Sequence, residues 1–161
     1  MDLAIITVSY NTRDLLGDCL ASVYDDLQGS DLDAEVWVVD NASVDGSTDV
    51  VRQRFPLARL LTHEQNVGFA AGNNLALREI GFPVSLSPSN NTANAAELPR
   101  HVLFLNPDTR VMDGALSAMV DFLDKVPPAG AAGAQLLHGD GSFQHSAFAF
   151  PGLIQGFLDF F

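Results

Sequence analysis

Short apolar, β-branched runs alternate with amphipathic stretches along most of the chain. Leu3–Val8 and Val36–Val39 are continuous apolar runs, Leu57–Thr62 is a weaker one, and His101–Leu105 is a fourth. Continuous runs of this kind are typical of parallel strands that are buried on both faces. The alternation therefore predicts an α/β fold with a Rossmann-like, mostly parallel central sheet and right-handed crossovers.

The stretches between the runs carry apolar residues at spacings of three and four, which predicts helices with one buried stripe. The stripes are Leu15, Leu16, Cys19, Leu20, Val23 and Leu27; Val50, Val51 and Phe55; Leu75, Leu77 and Ile80; and Leu116, Met119, Val120 and Leu123. Cys19 is the only cysteine, which excludes an intrachain disulfide, and its place on a stripe predicts a buried structural thiol.

Polar clusters follow three of the predicted strands: Ser9–Asn11, Asp40–Asn41 and Asn106–Asp108. The carboxyl ends of parallel strands meet at one edge, where open α/β sheets bind their ligands. A carboxylate such as Asp108 suits Mg²⁺ or Mn²⁺, especially when the cation is shared with a diphosphate. The alternative role for Asp108 is to cap a turn, since Asn, Pro and Asp are all turn formers.

A glycine-containing loop, Asn66–Asn74, enters the third helical stripe. The unpaired N–H groups of a helix N-terminus can hold an anion there. Gly72 equally fits a second role, the close packing of a helix on the sheet. The loop matches neither the dinucleotide fingerprint nor the phosphate loop of nucleoside triphosphatases.

The net charge of −12, with only 8 Lys and Arg residues, disfavours a nucleic-acid surface. A phosphate-bearing ligand would need a metal ion or backbone N–H groups to offset its charge.

The remaining segments predict the organisation of the chain. We expect one domain over residues 1–161 that is truncated at its C-terminus, with a flexible insertion at 82–100. Ala131–Leu137 is a further strand candidate, and the turn at His138–Gly141 predicts a late antiparallel strand over Ser142–Phe150.

No secretory signal precedes Leu3, which favours a cytoplasmic location. The apolar tail, Leu153–Phe161, indicates a missing continuation, association with the inner face of a membrane, or a homodimer contact.

Assembled in order, the strand-end motifs resemble those of a family 2 glycosyltransferase with the GT-A fold, a three-layer sandwich. The chain is most similar to the donor-binding part of the rhamnosyltransferase and galactofuranosyltransferase-like members. The matching pieces are VSYN at 8–11, VVDNASVDGS at 38–47, NVGFAAGNN at 66–74, LNPDT at 105–109 and HGDGSFQHS at 138–146.

The resemblance implies a role for each of nine residues in binding a nucleotide sugar. Val8 and Tyr10 flank the nucleobase, Asp40 accepts a hydrogen bond from it and Asn41 lies beside it. The ribose, diphosphate or donor sugar is approached by Asn66, Gly68 and Asn73. The remaining two, Asn106 and Asp108, form the subfamily's version of the Asp-x-Asp motif, with Asp108 as the metal ligand.

The implied reaction transfers a sugar from a UDP- or dTDP-sugar to a saccharide or lipid-linked acceptor hydroxyl, with inversion at the anomeric carbon. No residue is assigned as the catalytic base: Asp140 remains only by elimination, and its Asp-Gly context favours a turn. Two other functions stay open, a sugar nucleotidyltransferase-like enzyme and a non-catalytic nucleotide-binding or scaffolding module.

Overall fold

The structure is a computed structural model that describes residues 1–83 and 98–145. Strands and helices alternate through its main part, as the sequence predicts. In chain order the elements are β1 (Leu3–Ser9), α1 (Arg13–Gln28), β2 (Ala34–Asn41), α2 (Ser47–Arg54), β3 (Arg59–His63), α3 (Gly68–Ile80), β4 (His101–Leu105), α4 (Ala115–Lys125), β5 (Leu136–Leu137) and β6 (Phe143–Gln144).

The central sheet has four strands in the order β3-β2-β1-β4, and all of its pairings are parallel. Ser9 pairs with Asp40 across β1 and β2, so these two strands end at the same level of the sheet. β5 and β6 form a separate antiparallel pair. The predicted α/β class, with its mostly parallel sheet and a late antiparallel strand, is confirmed.

Helices cover both faces of the sheet and bury two apolar clusters. One face packs against α1, α2 and α4, with Ile5 and Val38 fully buried beneath the helices. The opposite face packs against α3, where Ala76 covers Ile6 and Val39. Each fully buried Ile or Val contributes about 1.5–3 kcal/mol relative to an exposed one. The predicted three-layer sandwich is therefore present.

Three details differ from the sequence predictions. Within the described residues β4 is an edge strand, so Phe104 is 49% exposed although an apolar run predicts burial. The strand expected over Ala131–Leu137 is reduced to its last two residues. Leu15, in the first turn of α1, is exposed although it belongs to the predicted buried stripe. An apolar run indicates strand propensity, but it does not show how many neighbours will cover the strand.

Most of the predicted insertion and the apolar tail lie outside the described residues. Of the helices in residues 1–83 and 98–145, none has the length and apolar character needed to cross a bilayer.

Candidate functional site

The carboxyl edge of the sheet gathers the residues that the sequence singled out. Val8 lies in β1 and Tyr10 directly after it, and Asp40 and Asn41 end β2. The others lie in the loop after β3, in α3 and in the segment after β4: Asn66, Gly68, Asn73, Asn106 and Asp108. Parallel pairing brings these strand ends to one side of the molecule.

Hydrogen bonds join the loop after β1 to the loop after β2. The Asn11 backbone N–H donates to Ser43 Oγ at 2.9 Å, and the Val44 N–H donates back to Asn11 Oδ1 at 2.9 Å. The Arg13 N–H donates to Asp45 Oδ2 at 2.8 Å. We call this set of contacts the loop brace. The sequence did not predict that these loops hold each other, although Asn, Ser and Asp after a strand often form such side-chain hydrogen bonds to the backbone.

The two braced loops contain the two non-glycine residues with positive φ in the described structure, Asn11 at 53° and Ala42 at 64°. Backbone in this region costs of order 1–3 kcal/mol and persists where surrounding contacts hold it. Asn tolerates it better than Ala does. The loop brace supplies contacts that hold Asn11, and Asp40 Oδ2 closes the turn around Ala42 by accepting the Ser43 N–H at 2.9 Å.

Asp40 has one carboxylate oxygen with no partner. Its side chain is 3% exposed, and while Oδ2 accepts from Ser43, Oδ1 is buried without a hydrogen bond. An unpaired buried acceptor costs about 1–3 kcal/mol, so a ligand N–H at this oxygen would recover that energy. Tyr10, in the adjacent loop, is 50% exposed, which leaves its ring available for stacking.

Two asparagine side chains stabilise the first turn of α3. Asn41 bonds it to the sheet, and Asn73 bonds it to the next turn of the same helix. Asn41 Nδ2 donates to the Gly68 carbonyl at 3.3 Å, and Asn73 Nδ2 donates to the Phe69 carbonyl at 3.0 Å. Both side-chain carbonyl oxygens are buried and unpaired. α3 begins at Gly68, so Asn73 lies within the helix rather than in the predicted entry loop.

Gly72 provides close packing of helix on sheet, one of the two roles that the sequence left open. A Cβ at this position would lie 2.9 Å from Val8 Cγ1 and 3.6 Å from Val39 Cγ1. The Val8 side chain is consequently covered by α3. In the preceding loop Asn66 Oδ1 accepts the Gly68 N–H at 2.9 Å, which stabilises the turn where Gly68 has a φ of 81°.

A row of polar side chains on α1 holds the segment after β4. We call Cys19, Ser22 and Asp26 the α1 polar row. The Cys19 thiol donates to the Asn106 carbonyl at 3.6 Å, and Ser22 Oγ accepts the Val111 N–H at 2.9 Å. Cys19 is buried as predicted, and burial raises the pKa of its thiol. The thiol therefore contributes packing and a weak hydrogen bond.

Asp26, in α1, caps the N-terminus of α4, which lies far from it in the sequence. Its carboxylate accepts the Gly114 N–H through Oδ1 and the Leu116 N–H through Oδ2, the latter at 3.0 Å. Gly114 is the N-cap residue of α4, and these N–H groups have no partner within the helix. A negative charge there also interacts favourably with the helix dipole. The segment that carries Asp108 is thus fixed at both ends.

Asp108 is exposed. In residues 1–83 and 98–145 no group of three or more His, Cys, Asp or Glu side chains could hold a metal ion. One carboxylate suits an oxygen-preferring cation only weakly, so a ligand's phosphate oxygens and water would have to complete the coordination. The donor set fits a metal that arrives together with a diphosphate.

Asp140 is a turn residue. Its Oδ1 accepts the Ser142 N–H at 2.9 Å and the Ser142 hydroxyl at 2.6 Å, and these bonds lower the pKa of the Asp140 carboxyl. A carboxylate with a lowered pKa is a weaker proton acceptor. The turn role that its Asp-Gly context favours is the observed one.

Two cavities lie apart from this group of residues. One of about 450 Å³ runs along the outer edge of β4 against α4, where Met119 and Leu123 line it. The other, of about 490 Å³, lies at the amino ends of β2 and β3, beside Glu35 and Arg59. Neither of these two cavities is lined by any of the nine predicted site residues.

Comparison with known proteins identifies relatives of this fold and sequence. The sequence profile described as Glycosyl transferase family 2 matches residues 4–81. Two curated relatives, from Mycobacterium tuberculosis strains CDC 1551 / Oshkosh and ATCC 25618 / H37Rv, are each named N-acetylglucosaminyl-diphospho-decaprenol L-rhamnosyltransferase. Each is 29% identical over 154 residues, which is 96% of this chain and 47% of the relative. The chain therefore spans about half the length of the curated relatives it matches.

A solved structure with a similar fold is that of S. aureus TarS 1–349 in complex with UDP-GlcNAc. It has a TM-score of 0.57 and 24% sequence identity, and the match covers 78% of this chain and 32% of TarS. The same TarS fragment in complex with UDP also has a TM-score of 0.57, with 22% identity over the same shares of the two chains. These similarities show the fold, which is GT-A-like.

Proposed function

Residues 4–81 match the profile of glycosyl transferase family 2, and from this premise we propose that the chain is a glycosyltransferase domain of that family that binds a nucleotide-diphosphate sugar together with a divalent cation. In this proposal the sugar is transferred to a hydroxyl acceptor with inversion at the anomeric carbon. The observation that carries the proposal is the shared carboxyl edge, where an exposed aromatic ring, a buried carboxylate with an unpaired oxygen and an exposed carboxylate come from three neighbouring strand ends.

The nucleobase is bound between the braced loops. A pyrimidine offers a flat face, which Tyr10 can stack on, and an N–H donor, which the unpaired Oδ1 of Asp40 can accept. The loop brace supports this role because it fixes both loops before the ligand arrives, which reduces the ordering cost of binding. Either UDP or dTDP satisfies the same two contacts.

The diphosphate lies toward the segment after β4. Asp108 would hold Mg²⁺ or Mn²⁺, with the Asn106 side chain beside it and phosphate oxygens completing the coordination. When bound, the cation supplies Lewis-acid stabilisation of the negative charge that develops on the departing diphosphate. The chain's own contribution is to position Asn106 and Asp108, through the attachment of their segment to α1.

The acceptor in this proposal is a saccharide or lipid-linked hydroxyl, bound at the cytoplasmic face of a membrane. Support for a lipid-linked acceptor comes from the curated relatives, which are named as rhamnosyltransferases of N-acetylglucosaminyl-diphospho-decaprenol. No catalytic base is assigned, because the hydrogen bonds of Asp140 account for it as a turn residue.

Calorimetric titration with UDP and dTDP, with and without Mn²⁺, tests the proposal. We expect binding that strengthens with Mn²⁺, and we expect Asp108→Ala to abolish that dependence while weak metal-free binding remains. Asp113→Ala is the matched control, because Asp113 is an exposed carboxylate of the same segment. Absence of binding by the unchanged chain to either nucleotide would overturn the proposal in favour of a scaffolding module. A metal dependence that survives Asp108→Ala would place the cation elsewhere.

A further inference from the structure

Almost all cationic side chains of this chain already have a partner. Of its 8 Lys and Arg residues, Arg54 lies over the Phe55 ring at 5.2 Å. Five others form ion pairs with carboxylates: Arg13, Arg52, Arg59, Arg100 and Lys125. Among the described residues, this leaves Arg78 and Arg110 with neither an ion pair nor a ring contact.

The two remaining arginines lie at opposite edges of the sheet. Arg78 belongs to the last turn of α3, and the next residues, Glu79 and Ile80, line the cavity at the amino ends of β2 and β3. Arg110 lies in the segment after β4, at the carboxyl edge and two residues beyond Asp108. Only Arg110 is therefore within reach of a ligand that contacts Asp108.

Local structure keeps Arg110 on the exposed side of its segment. Exposure alternates along this stretch: Asp108 and Arg110 are exposed, whereas Thr109 and Val111 are partly buried. Thr109 Oγ1 donates to the Asn106 carbonyl at 2.7 Å, and Val111 packs on the core beneath α1. Arg110 is therefore exposed to solvent on the same segment as Asp108, two residues away.

We infer that Arg110 binds the diphosphate of the nucleotide-sugar donor, an inference that rests on the proposed function. The diphosphate of a nucleotide sugar carries two negative charges and the Asp108 carboxylate adds a third, so one divalent cation leaves the site negative, and the departing nucleoside diphosphate carries one charge more. The planar guanidinium can donate two N–H groups to phosphate oxygens. Asp108 and Asp113 flank Arg110 in sequence, yet it pairs with neither. Arg110 is thus available to stabilise the diphosphate both in the bound donor and as the leaving group.

The test compares Arg110→Gln with Arg78→Gln, a matched removal of an unpaired arginine at the opposite edge. Each variant is titrated with UDP and dTDP in the presence of Mn²⁺, and binding of the corresponding nucleosides is followed by saturation-transfer NMR. We expect Arg110→Gln to weaken diphosphate binding about tenfold and to leave nucleoside binding unchanged, since charge-assisted bonds to phosphate are lost. Arg78→Gln should change neither, and Arg110→Lys should recover part of the affinity because it restores charge without the planar fork.

The outcomes separate this inference from the proposal beneath it. Arg110→Gln that binds the diphosphates as tightly as the unchanged chain overturns the role of Arg110 and leaves the proposed function intact. An equal loss for nucleoside and diphosphate also overturns it, because the loss would then come from a general disturbance of the site. If the unchanged chain binds no diphosphate at all, the proposed function and the inference fall together. Thermal unfolding of each variant checks that the fold is retained.

Discussion

Asp26 joins α1 to the start of α4, and its removal should destabilise the chain more than removal of any exposed carboxylate. The side chain is 7% exposed and accepts two backbone N–H groups, those of Gly114 and Leu116. Asp26→Ala removes the N-terminal cap of α4 and leaves both N–H donors partly buried without an acceptor. Each lost hydrogen bond costs about 1–2 kcal/mol of stability. We expect a loss of about 3 kcal/mol in the free energy of unfolding.

Urea and thermal unfolding measure this loss directly. A loss of that size corresponds to a fall in melting temperature of roughly 10 °C for a chain of this length. Asp25→Ala is the matched control, because Asp25 is exposed on the same helix turn, and surface substitutions usually stay within about 0.5 kcal/mol. Asp26→Asn keeps one acceptor oxygen and should lose about half as much.

Amide hydrogen exchange gives a second, local measurement of the same perturbation. In Asp26→Ala the Gly114 and Leu116 amides should exchange faster, because each loses its acceptor. Equal stability of the Asp25 and Asp26 alanine variants, with unchanged exchange at the two amides, would refute the assignment of Asp26 as a long-range cap.

Two further predictions concern the sheet edge. Gly72→Ala should lower the free energy of unfolding by about 1–3 kcal/mol, measured by urea titration, because the new Cβ would lie 2.9 Å from Val8 Cγ1. The control is Gly133→Ala, which should have little effect because a Cβ there has no neighbour within 4 Å. Burial alone would raise the pKa of Asp45, but hydrogen bonds from the Ser47 side chain and from backbone N–H groups lower it overall. A carboxylate whose pKa is lower in the folded chain stabilises the fold while it is ionised. This stabilisation by Asp45 is fully present above its unfolded pKa, near 4, and is lost as pH falls through the lowered folded value. Asp45→Asn should therefore lose less stability on acidification, measured as the urea midpoint at successive pH values.

The parallel sheet and its carboxyl-edge clusters are predictable from local pattern. A run such as Leu3–Val8 is apolar at every position, which indicates burial on both faces. Once strands and helices alternate, right-handed crossovers bring Asp40 and the segment of Asp108 to one edge. The exposure of Phe104 is not predictable in this way, because it depends on whether another strand pairs with β4.

The partners that hold the site are not predictable from local pattern. Asp26 lies three residues after Val23, beside the apolar stripe of α1, so a buried polar role could have been suspected from its position. Nothing local indicates that its partners are the amides of Gly114 and Leu116, 88 and 90 residues away. The same holds for Asn11 and Ser43: both read as turn formers, and only the structure pairs them.

α1 links the two halves of the proposed site into one rigid unit. The backbone N–H of its first residue, Arg13, donates to Asp45 in the loop brace, at the half of the site that we propose binds the base. Further along the same helix, Ser22 holds Val111 in the segment that carries Asp108. Because a helix is stiff over such lengths, the spacing between the two halves is set by the fold before any ligand binds, and binding need not repay the cost of ordering them. Loss of the α1 polar row should therefore weaken metal-dependent diphosphate binding while the stacking of the base on Tyr10 is retained, a separation that a general loss of stability would not produce.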